Sequence, residues 1–187
     1  EALAVHKADD RVDELEVEID GAIWAIMARQ QPTAVDLRFL IAATRIIHEI
    51  ERVGDTAKNI AKSVIRLTDE PDLKPYIDLP RMSQLARKMV RESLDAFTRG
   101  DSELARAVIE TDPELDQLYE QIYRELLTFM LEDPRAVTRG LEILTIARYL
   151  ERAADHAVNM AEDVVFLVEA EDIRHVRQER AESDEAE

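Results

Sequence analysis

The chain has no cysteine and only four glycines among its 187 residues. The absence of cysteine excludes disulfides and metal sites built from thiolates. The scarcity of glycine leaves few flexible turns and, with abundant alanine, leucine, glutamate and arginine, favours long helices. No apolar run approaches the roughly 20 residues that a membrane-spanning helix needs, and no signal peptide is visible. Because Glu1 is not a natural start, we expect the true N-terminus to be missing from this sequence.

Positive charge is also scarce. Lysine and arginine number 24 against 41 aspartates and glutamates, which gives a formal net charge of −17. Such a surface repels nucleic acid phosphates and anionic lipid headgroups, so DNA and RNA are excluded as main partners. It suits a soluble protein that has a cation site or that meets a basic surface on another protein. With 46% hydrophobic residues, the chain can still bury a substantial core.

Prolines indicate where the chain divides. Pro71, Pro75 and Pro80 lie in the one stretch without helical periodicity, which predicts a proline-rich linker over residues 70–79. We therefore expect a first repeat over residues 1–69, a second repeat over residues 80–172 and a charged tail over residues 173–187.

Capping signals predict where the helices begin and end. Asp133-Pro134 is an N-cap followed by a proline at the first helical position. Thr33 starts a sequence that resembles a capping box, and Gly100-Asp101 combines a helix stop with a new cap. Pro113 is expected to kink or divide the fourth helix. Together these signals predict an all-α protein with helices at about 9–31, 33–69, 80–99, 101–131 and 134–171.

The two halves of the chain are repeats. Residues 50–65 (IERVGDTAKNIAKSVI) and 150–165 (LERAADHAVNMAEDVV) are identical at seven of sixteen positions, where chance gives about one. A second match pairs residues 4–15 with residues 107–118 and aligns Asp9 and Asp13 with Asp112 and Asp116. The helix predicted at 80–99 has no counterpart in the first half. We therefore expect two tandem three-helix bundles, of which the first lacks its N-terminal helix in this chain.

Acidic side chains recur at a spacing of four on two helices of each repeat. Residues i and i+4 lie on the same helix face, so neighbouring helices would bring four carboxylates together if these faces meet. Such a group suits a hard cation such as Mg²⁺, Mn²⁺ or iron, which would relieve the repulsion. The candidate ligands are Asp9, Asp13, Glu51 and Asp55 in the first repeat, and Asp112, Asp116, Glu151 and Asp155 in the second.

Other residues on these helices fit a packed bundle. An apolar stripe on the second helix is expected to be buried: Ile46, Ile50, Val53, Ala57, Ile60 and Val64. Trp24 and the methionines are expected in the core. His48 could join the first acidic site, whereas His156 is expected to point away from the second.

Three functional hypotheses fit these patterns. Acid pairs on solvated helix faces commonly bind nothing, so a purely structural bundle is one alternative. A carboxylate-bridged metal enzyme is another, but no Glu-x-x-His pair occurs, and the acid stripes at the edge of the apolar face predict a superficial site. A non-enzymatic adaptor is the third, and the family resemblance described next favours it. The sequence has no nucleophile–base set, phosphate loop or nucleotide motif.

Four segments resemble the PhoU family of phosphate-signalling proteins. They are QQPTAVDLRFLIAATRIIHEIERVGDTAKNIA, YLERAADHAVNMAEDVVFLVEAEDIRH and the two Asp-x-x-x-Asp segments. The family usually has Gly before the second acid and His after it. The first repeat keeps Gly54 but has Thr56, and the second keeps His156 but has Ala154.

This resemblance implies a regulator of phosphate uptake and of the phosphate-starvation response. It implies an adaptor between a Pst-type phosphate ABC transporter and a membrane sensor histidine kinase, cytoplasmic, commonly a homodimer, and at the membrane only through partners. A PhoU-like regulatory domain of a different phosphate transporter is the alternative. The resemblance also implies metal at the eight acids named above, with iron as the expected metal and Mg, Mn or Zn as alternatives.

Overall fold

The computed structural model describes residues 2–68, Leu73 and residues 76–173, and within this part the secondary structure is helical. The predicted all-α class with five helices is confirmed. The tail beyond residue 173 and most of the predicted linker lie outside the described residues. The helices are α1 (Ala2–Gln30), α2 (Ala34–Leu67), α3 (Asp78–Arg99), α4 (Ser102–Glu132) and α5 (Val137–Glu169), with a 3-10 turn at Pro134–Ala136 before α5.

Most helix ends follow the capping signals. Gly100 ends α3 in the left-handed conformation at φ 63°, which glycine adopts without steric cost. The carboxylate of Asp101 then accepts a hydrogen bond from the backbone N–H of Leu104 at 3.0 Å. Asp133 accepts in the same way from the N–H of Arg135 at 2.9 Å. Thr33 occupies the predicted N-cap of α2, but its hydroxyl makes no capping hydrogen bond.

One expectation about helix bounds was wrong, and one of the two alternatives for Pro113 is ruled out. The first helix begins at Ala2 rather than near residue 9, because its first turns carry neither a proline nor a glycine to stop it. Pro113 neither ends nor divides α4. The proline is exposed, so water can replace the hydrogen bond that its missing N–H would have donated.

The helices pack as a pair and a trio. Among the described residues, α1 packs on α2, α2 packs on α1 and α5, and α3, α4 and α5 all pack on one another. Phe39 of α2 also stacks on Phe97 of α3, with ring centroids 5.8 Å apart. The contact of α2 with α5 joins the two repeats into one continuous hydrophobic core. This arrangement confirms the expected fold class, with a complete second bundle and a first bundle that lacks one helix.

Burial is uneven between the two repeats. The core is formed mainly by α3, α4 and α5, whereas α1 and α2 carry many exposed large apolar side chains. Trp24 is 67% exposed, so its expected place in the core was wrong, while Met82, Met89 and Met160 are fully buried as expected. No helix in the described part of the chain is both long and apolar enough to cross a membrane.

Candidate functional site

The first acidic cluster, which consists of Asp9, Asp13, Glu51 and Asp55, lies between α1 and α2. Burial raises the pKa of Glu51, and the negative charges of Asp55, Glu16 and Asp13 raise it further. An acid on α1 therefore influences an acid on α2 at short range. The acidic faces of the two helices are turned toward each other, as their spacing predicts.

Lys58 provides a positive charge within the first acidic cluster. Its Nζ donates to Oδ2 of Asp9, and it also contacts Oδ1 of Asp55 at 2.7 Å. The Asp9 side chain is 2% exposed and that of Lys58 is 20% exposed. Hydrogen bonds to Asp55 and then to Asp9 raise the pKa of Lys58 well above its usual range, so the ammonium remains charged. The sequence analysis missed Lys58, although its position three residues after Asp55 permits an ion pair.

Gly54 lets Asp9 lie close to α2. A Cβ atom at position 54 would meet Oδ1 of Asp9 at 3.0 Å, which is tighter than ordinary contact. That same oxygen is buried and accepts no hydrogen bond within the described residues. The second repeat has Ala154 at the equivalent position, and Ala154 is fully buried. The missing Cβ in the first repeat therefore makes room for the Asp9 carboxylate beside Lys58.

The second acidic cluster, which consists of Asp112, Asp116, Glu151 and Asp155, lies between α4 and α5. Burial raises the pKa of Glu151, and Asp155, Asp116 and Asp112 raise it further, while the charge of Arg148 opposes them. The repeat places Val158 at the position of Lys58, and Val158 is buried. The second cluster therefore has the same acids as the first but no lysine at this position.

The depth of the acids differs from the expected superficial site. Asp9 and Asp112 are each 3% exposed. The other members are half-buried or exposed. In each repeat, a buried aspartate therefore lies below acids that solvent can reach.

The geometry does not yet form a metal site. Across the described residues, no three histidine, aspartate or glutamate side chains are grouped so that they could hold a metal ion. Carboxylates would have to turn toward one another, and in the first cluster Lys58 would also have to leave. In the second cluster Val158 replaces this lysine, and the charge of Arg148 opposes the repulsion at Glu151.

A polar contact between α2 and α5 joins the two repeats beside these clusters. Nδ1 of His156 lies 2.6 Å from Oε2 of Glu49, and the side-chain N–H of Asn159 donates to the same oxygen at 3.3 Å. Arg45 donates to Asp163 at 3.0 Å on the same interface. Burial alone would raise the pKa of Glu49, but the hydrogen bonds from His156 and Asn159 outweigh it and lower the pKa.

The histidines thus have roles that the sequence did not identify. His156 points away from the second acidic cluster, as expected, but its half-buried partner Glu49 was not anticipated because the two residues are 107 positions apart. His48 lies at the rim of the first acidic cluster, with Nδ1 2.5 Å from Oε1 of Glu16. Neither histidine belongs to a ready metal site.

Comparison with known proteins identifies the relatives of this chain. The family model described as the PhoU domain matches residues 1–64 and 79–164. A phosphate-specific transport system accessory protein PhoU homolog from Pseudomonas aeruginosa is 41% identical over 176 residues, which cover 94% of this chain and 73% of the relative. The homolog from Aquifex aeolicus is 44% identical over 171 residues, which cover 91% of this chain and 77% of that relative.

Solved structures agree with the fold. The crystal structure of PhoU from Pseudomonas aeruginosa matches with a TM-score of 0.88 and 40% identity, over 91% of this chain and 82% of that one. The crystal structure of the phosphate transport system regulatory protein PhoU from Streptococcus pneumoniae matches with a TM-score of 0.83 and 27% identity. This match covers 91% of this chain and 80% of that one.

Proposed function

The chain belongs to the PhoU family, and on this premise we propose that it is a non-enzymatic regulator of phosphate uptake and of phosphate-starvation signalling. In this proposal it acts in the cytoplasm as an adaptor between a phosphate ABC transporter and a sensor histidine kinase, and it reaches the membrane only through them. The observation that carries the proposal is 41% identity, over almost the whole chain, to a relative named as a phosphate transport accessory protein.

The charge of the chain supports an adaptor role. A net charge of −17 on a protein of 187 residues makes a strong negative field, which speeds encounter with basic surfaces and makes their binding depend on salt. Negative charge is concentrated at two places on this protein, which are the acidic clusters of the two repeats. A repeat of this kind can present similar surfaces to two partners, or to a second copy in a homodimer.

We further propose that a metal ion binds the second acidic cluster. Asp112, Asp116, Glu151 and Asp155 provide hard oxygen ligands, which suit iron and also Mg²⁺, Mn²⁺ or Zn²⁺. When bound, the metal would supply positive charge that lets these acids lie close together. Asp9, Asp13, Glu51 and Asp55 are proposed as ligands only when Lys58 has been displaced.

The adaptor proposal is tested by binding of purified components. The transporter in lipid nanodiscs and the cytoplasmic part of the kinase are each mixed with the chain, and then all three are combined. We expect each to bind, a ternary complex to form, and affinity to fall as salt rises. Binding to neither component would contradict the proposal.

A matched pair of variants tests the acidic surface. Glu151→Gln with Asp155→Asn removes two charges from the second acidic cluster, and Glu110→Gln with Glu114→Gln removes two exposed charges elsewhere. If the cluster contacts a partner, the first pair weakens binding more than the second at equal net charge. Equal effects would show that only the overall charge matters.

A further inference from the structure

The four glycines of the chain differ in whether the fold explains them. Gly54 makes room for a carboxylate of α1, and Gly100 ends α3 with a positive φ. A Cβ at Gly140 would meet the side chain of Met130 at 2.8 Å. A Cβ at Gly21 would meet nothing within 4 Å among the described residues, although Gly21 lies in the interior of α1. Because glycine makes a helix less stable than alanine does, the packing of this chain gives no reason for Gly21.

An exposed tryptophan lies one turn after this glycine. Trp24 is 67% exposed, and Val17, two turns earlier on the same face, is 72% exposed. Side chains of a helix lean toward its N-terminus, so the indole covers the turn that contains Gly21, which has no side chain to fill the space beside it. The alanines that continue this face are also exposed. We call these five residues the outer face of α1: Val17, Gly21, Trp24, Ala25 and Ala28.

The second repeat shows that this face stays exposed in a complete bundle. Residues 4–15 align with residues 107–118, and the same offset equates Val17 with Glu120, Gly21 with Arg124, and Trp24 with Leu127. All three α4 residues are exposed, although α4 packs on both α3 and α5. Glu120 and Arg124 form a surface ion pair at 3.3 Å. The outer face of α1 is therefore apolar where the equivalent face of α4 carries a solvated ion pair.

Charge on α1 is confined to one part of the helix beside this face. All seven aspartates and glutamates of α1 lie in residues 9–20, whereas residues 21–28 carry no charge. Asp10, Glu14 and Glu18 are exposed and continue the side of the helix on which the outer face lies. Arg11 pairs with Glu14 at 2.8 Å and offsets only part of this charge. An occupant of this side therefore needs positive residues at one end and an apolar residue at the other.

Charge also distinguishes between occupants. A second copy of the chain would bring another acid-rich α1 against the first, and its net charge of −17 opposes such a contact. Anionic lipid headgroups are repelled for the same reason. A helix with lysines and arginines at one end is attracted to the acids, and the small residues of the outer face let its backbone approach α1 closely.

We propose that the outer face of α1 binds a basic amphipathic helix of a partner protein. The lysines and arginines of this helix contact Asp10, Glu14 and Glu18. One of its apolar side chains enters the open space at Gly21 and packs against the indole of Trp24. The inference rests on the adaptor role proposed for the chain, since it identifies the surface with which the adaptor holds a partner.

Trp24 reports its own occupancy, because it is the only tryptophan in the chain. The probe is a designed helical peptide as long as residues 10–28, without tryptophan, that carries lysines at one end of a face and leucines at the other. A peptide of the same composition in scrambled order is the control. We expect the first peptide to shift the emission of Trp24 to shorter wavelength, at one peptide per chain, and to bind at least about tenfold tighter than the second. Equal binding of both would overturn the proposal, because charge alone would then explain it.

Filling the space at Gly21 tests the contact itself. Gly21→Leu should weaken binding of the first peptide at least about tenfold. The variant should nevertheless melt at a higher temperature, because leucine favours a helix more than glycine does. The control is Thr128→Leu, which adds the same side chain at an exposed position on α4 equivalent to Ala25 and should leave binding unchanged. Peptide binding by Gly21→Leu as tight as that of the wild type would contradict the proposal.

A matched pair of variants tests the acids. Asp10→Asn with Glu18→Gln should weaken binding of the first peptide more than Glu110→Gln with Glu114→Gln, which removes the same charge from α4. Equal effects would show that the peptide responds only to the overall charge, and the proposed contacts with α1 would be wrong.

The transporter and the kinase separate this inference from the proposed function. Gly21→Leu should weaken binding of at least one of them about tenfold, whereas Thr128→Leu should weaken neither. If both bind wild-type protein and Gly21→Leu equally, the inference is wrong and the adaptor function stands. If neither binds wild-type protein, the adaptor function fails, and the two peptides decide whether the outer face binds a basic helix.

Two further results would assign the outer face to another occupant. The protein made from its own gene should bind the first peptide as residues 1–187 do, since the equivalent face of α4 is open in a complete bundle. Loss of binding there would show that a different segment of the same protein covers Trp24. A dimer of residues 1–187 that Gly21→Leu dissociates would show that a second copy is the occupant. Either result would overturn the proposal.

Discussion

Replacing Glu151 with glutamine should stabilise the protein at neutral pH. Burial and three nearby acids raise the pKa of Glu151 above its ordinary value of 4.5. A group whose pKa is higher in the folded state than in the unfolded state binds its proton more tightly in the folded state. Its favourable contribution is complete below the unfolded pKa and is lost as pH rises through the folded pKa. At pH 7 the ionised carboxylate therefore destabilises the fold.

The size of this effect follows from the number of neighbouring charges. Asp155 stands four residues from Glu151 on α5, and a like-charge pair at this spacing costs about 0.2–0.5 kcal/mol. Asp116 and Asp112 add similar contributions from α4, and solvent screens the exposed members of the cluster. We therefore expect Glu151→Gln to raise the free energy of unfolding by about 1 kcal/mol at pH 7, or the melting temperature by about 2–4 °C.

Urea unfolding at several pH values checks this prediction. The gain from Glu151→Gln should shrink toward zero by about pH 4, and high salt should reduce it. The control is Glu110→Gln, which removes an exposed charge on the same bundle and should change stability little. A loss of stability at pH 7, or a gain that does not depend on pH, would refute the argument that the acids of the second cluster repel one another.

Three further predictions concern the contacts around the clusters and the burial of two equivalent valines. Lys58→Met should lower the melting temperature more at pH 7 than at pH 4, because the buried carboxylate beside it is left without its cation. Val164→Ala should cost about 2 kcal/mol in urea unfolding, and Val64→Ala less than about 1, because only the first side chain is fully buried. His156→Phe should cost about 1 kcal/mol at pH 7, and this cost should vanish as pH falls through the lowered pKa of Glu49.

The helices and their order could be predicted because their signals are local. Asp101 and Asp133 act as caps through hydrogen bonds to backbone N–H groups only two or three residues away. The start of α1 carries no such signal, and its bound was missed. The repeat also predicted that acids of neighbouring helices lie near one another, as Asp13 and Glu51 do.

Long-range contacts could not be read from the sequence. The periodicity of α2 places Val64 on an apolar stripe, but whether a stripe is covered depends on how many helices surround it. Trp24 was expected in the core, but it is exposed, because α1 packs on α2 alone among the described helices. The ion pair of Lys58 with Asp9 and the contact of His156 with Glu49 join residues on different helices, which spacing along one helix does not reveal.

The metal proposal depends on side-chain positions that a bound ion would change. Element-resolved analysis of protein purified without a metal-affinity column measures occupancy directly, and titration with Mn²⁺ alone measures affinity. Wild-type protein should bind at the second acidic cluster and gain stability, whereas Glu151→Gln should not. Equal metal content in both proteins would show that Glu151 is not a required ligand.

The regulatory function itself is tested most directly by a phosphatase reporter of the phosphate-starvation response in cells grown with ample phosphate. We predict that deletion of the gene turns the reporter on and that the restored protein turns it off again. A reporter that stays off after deletion would contradict the assignment of this protein as a regulator of phosphate signalling.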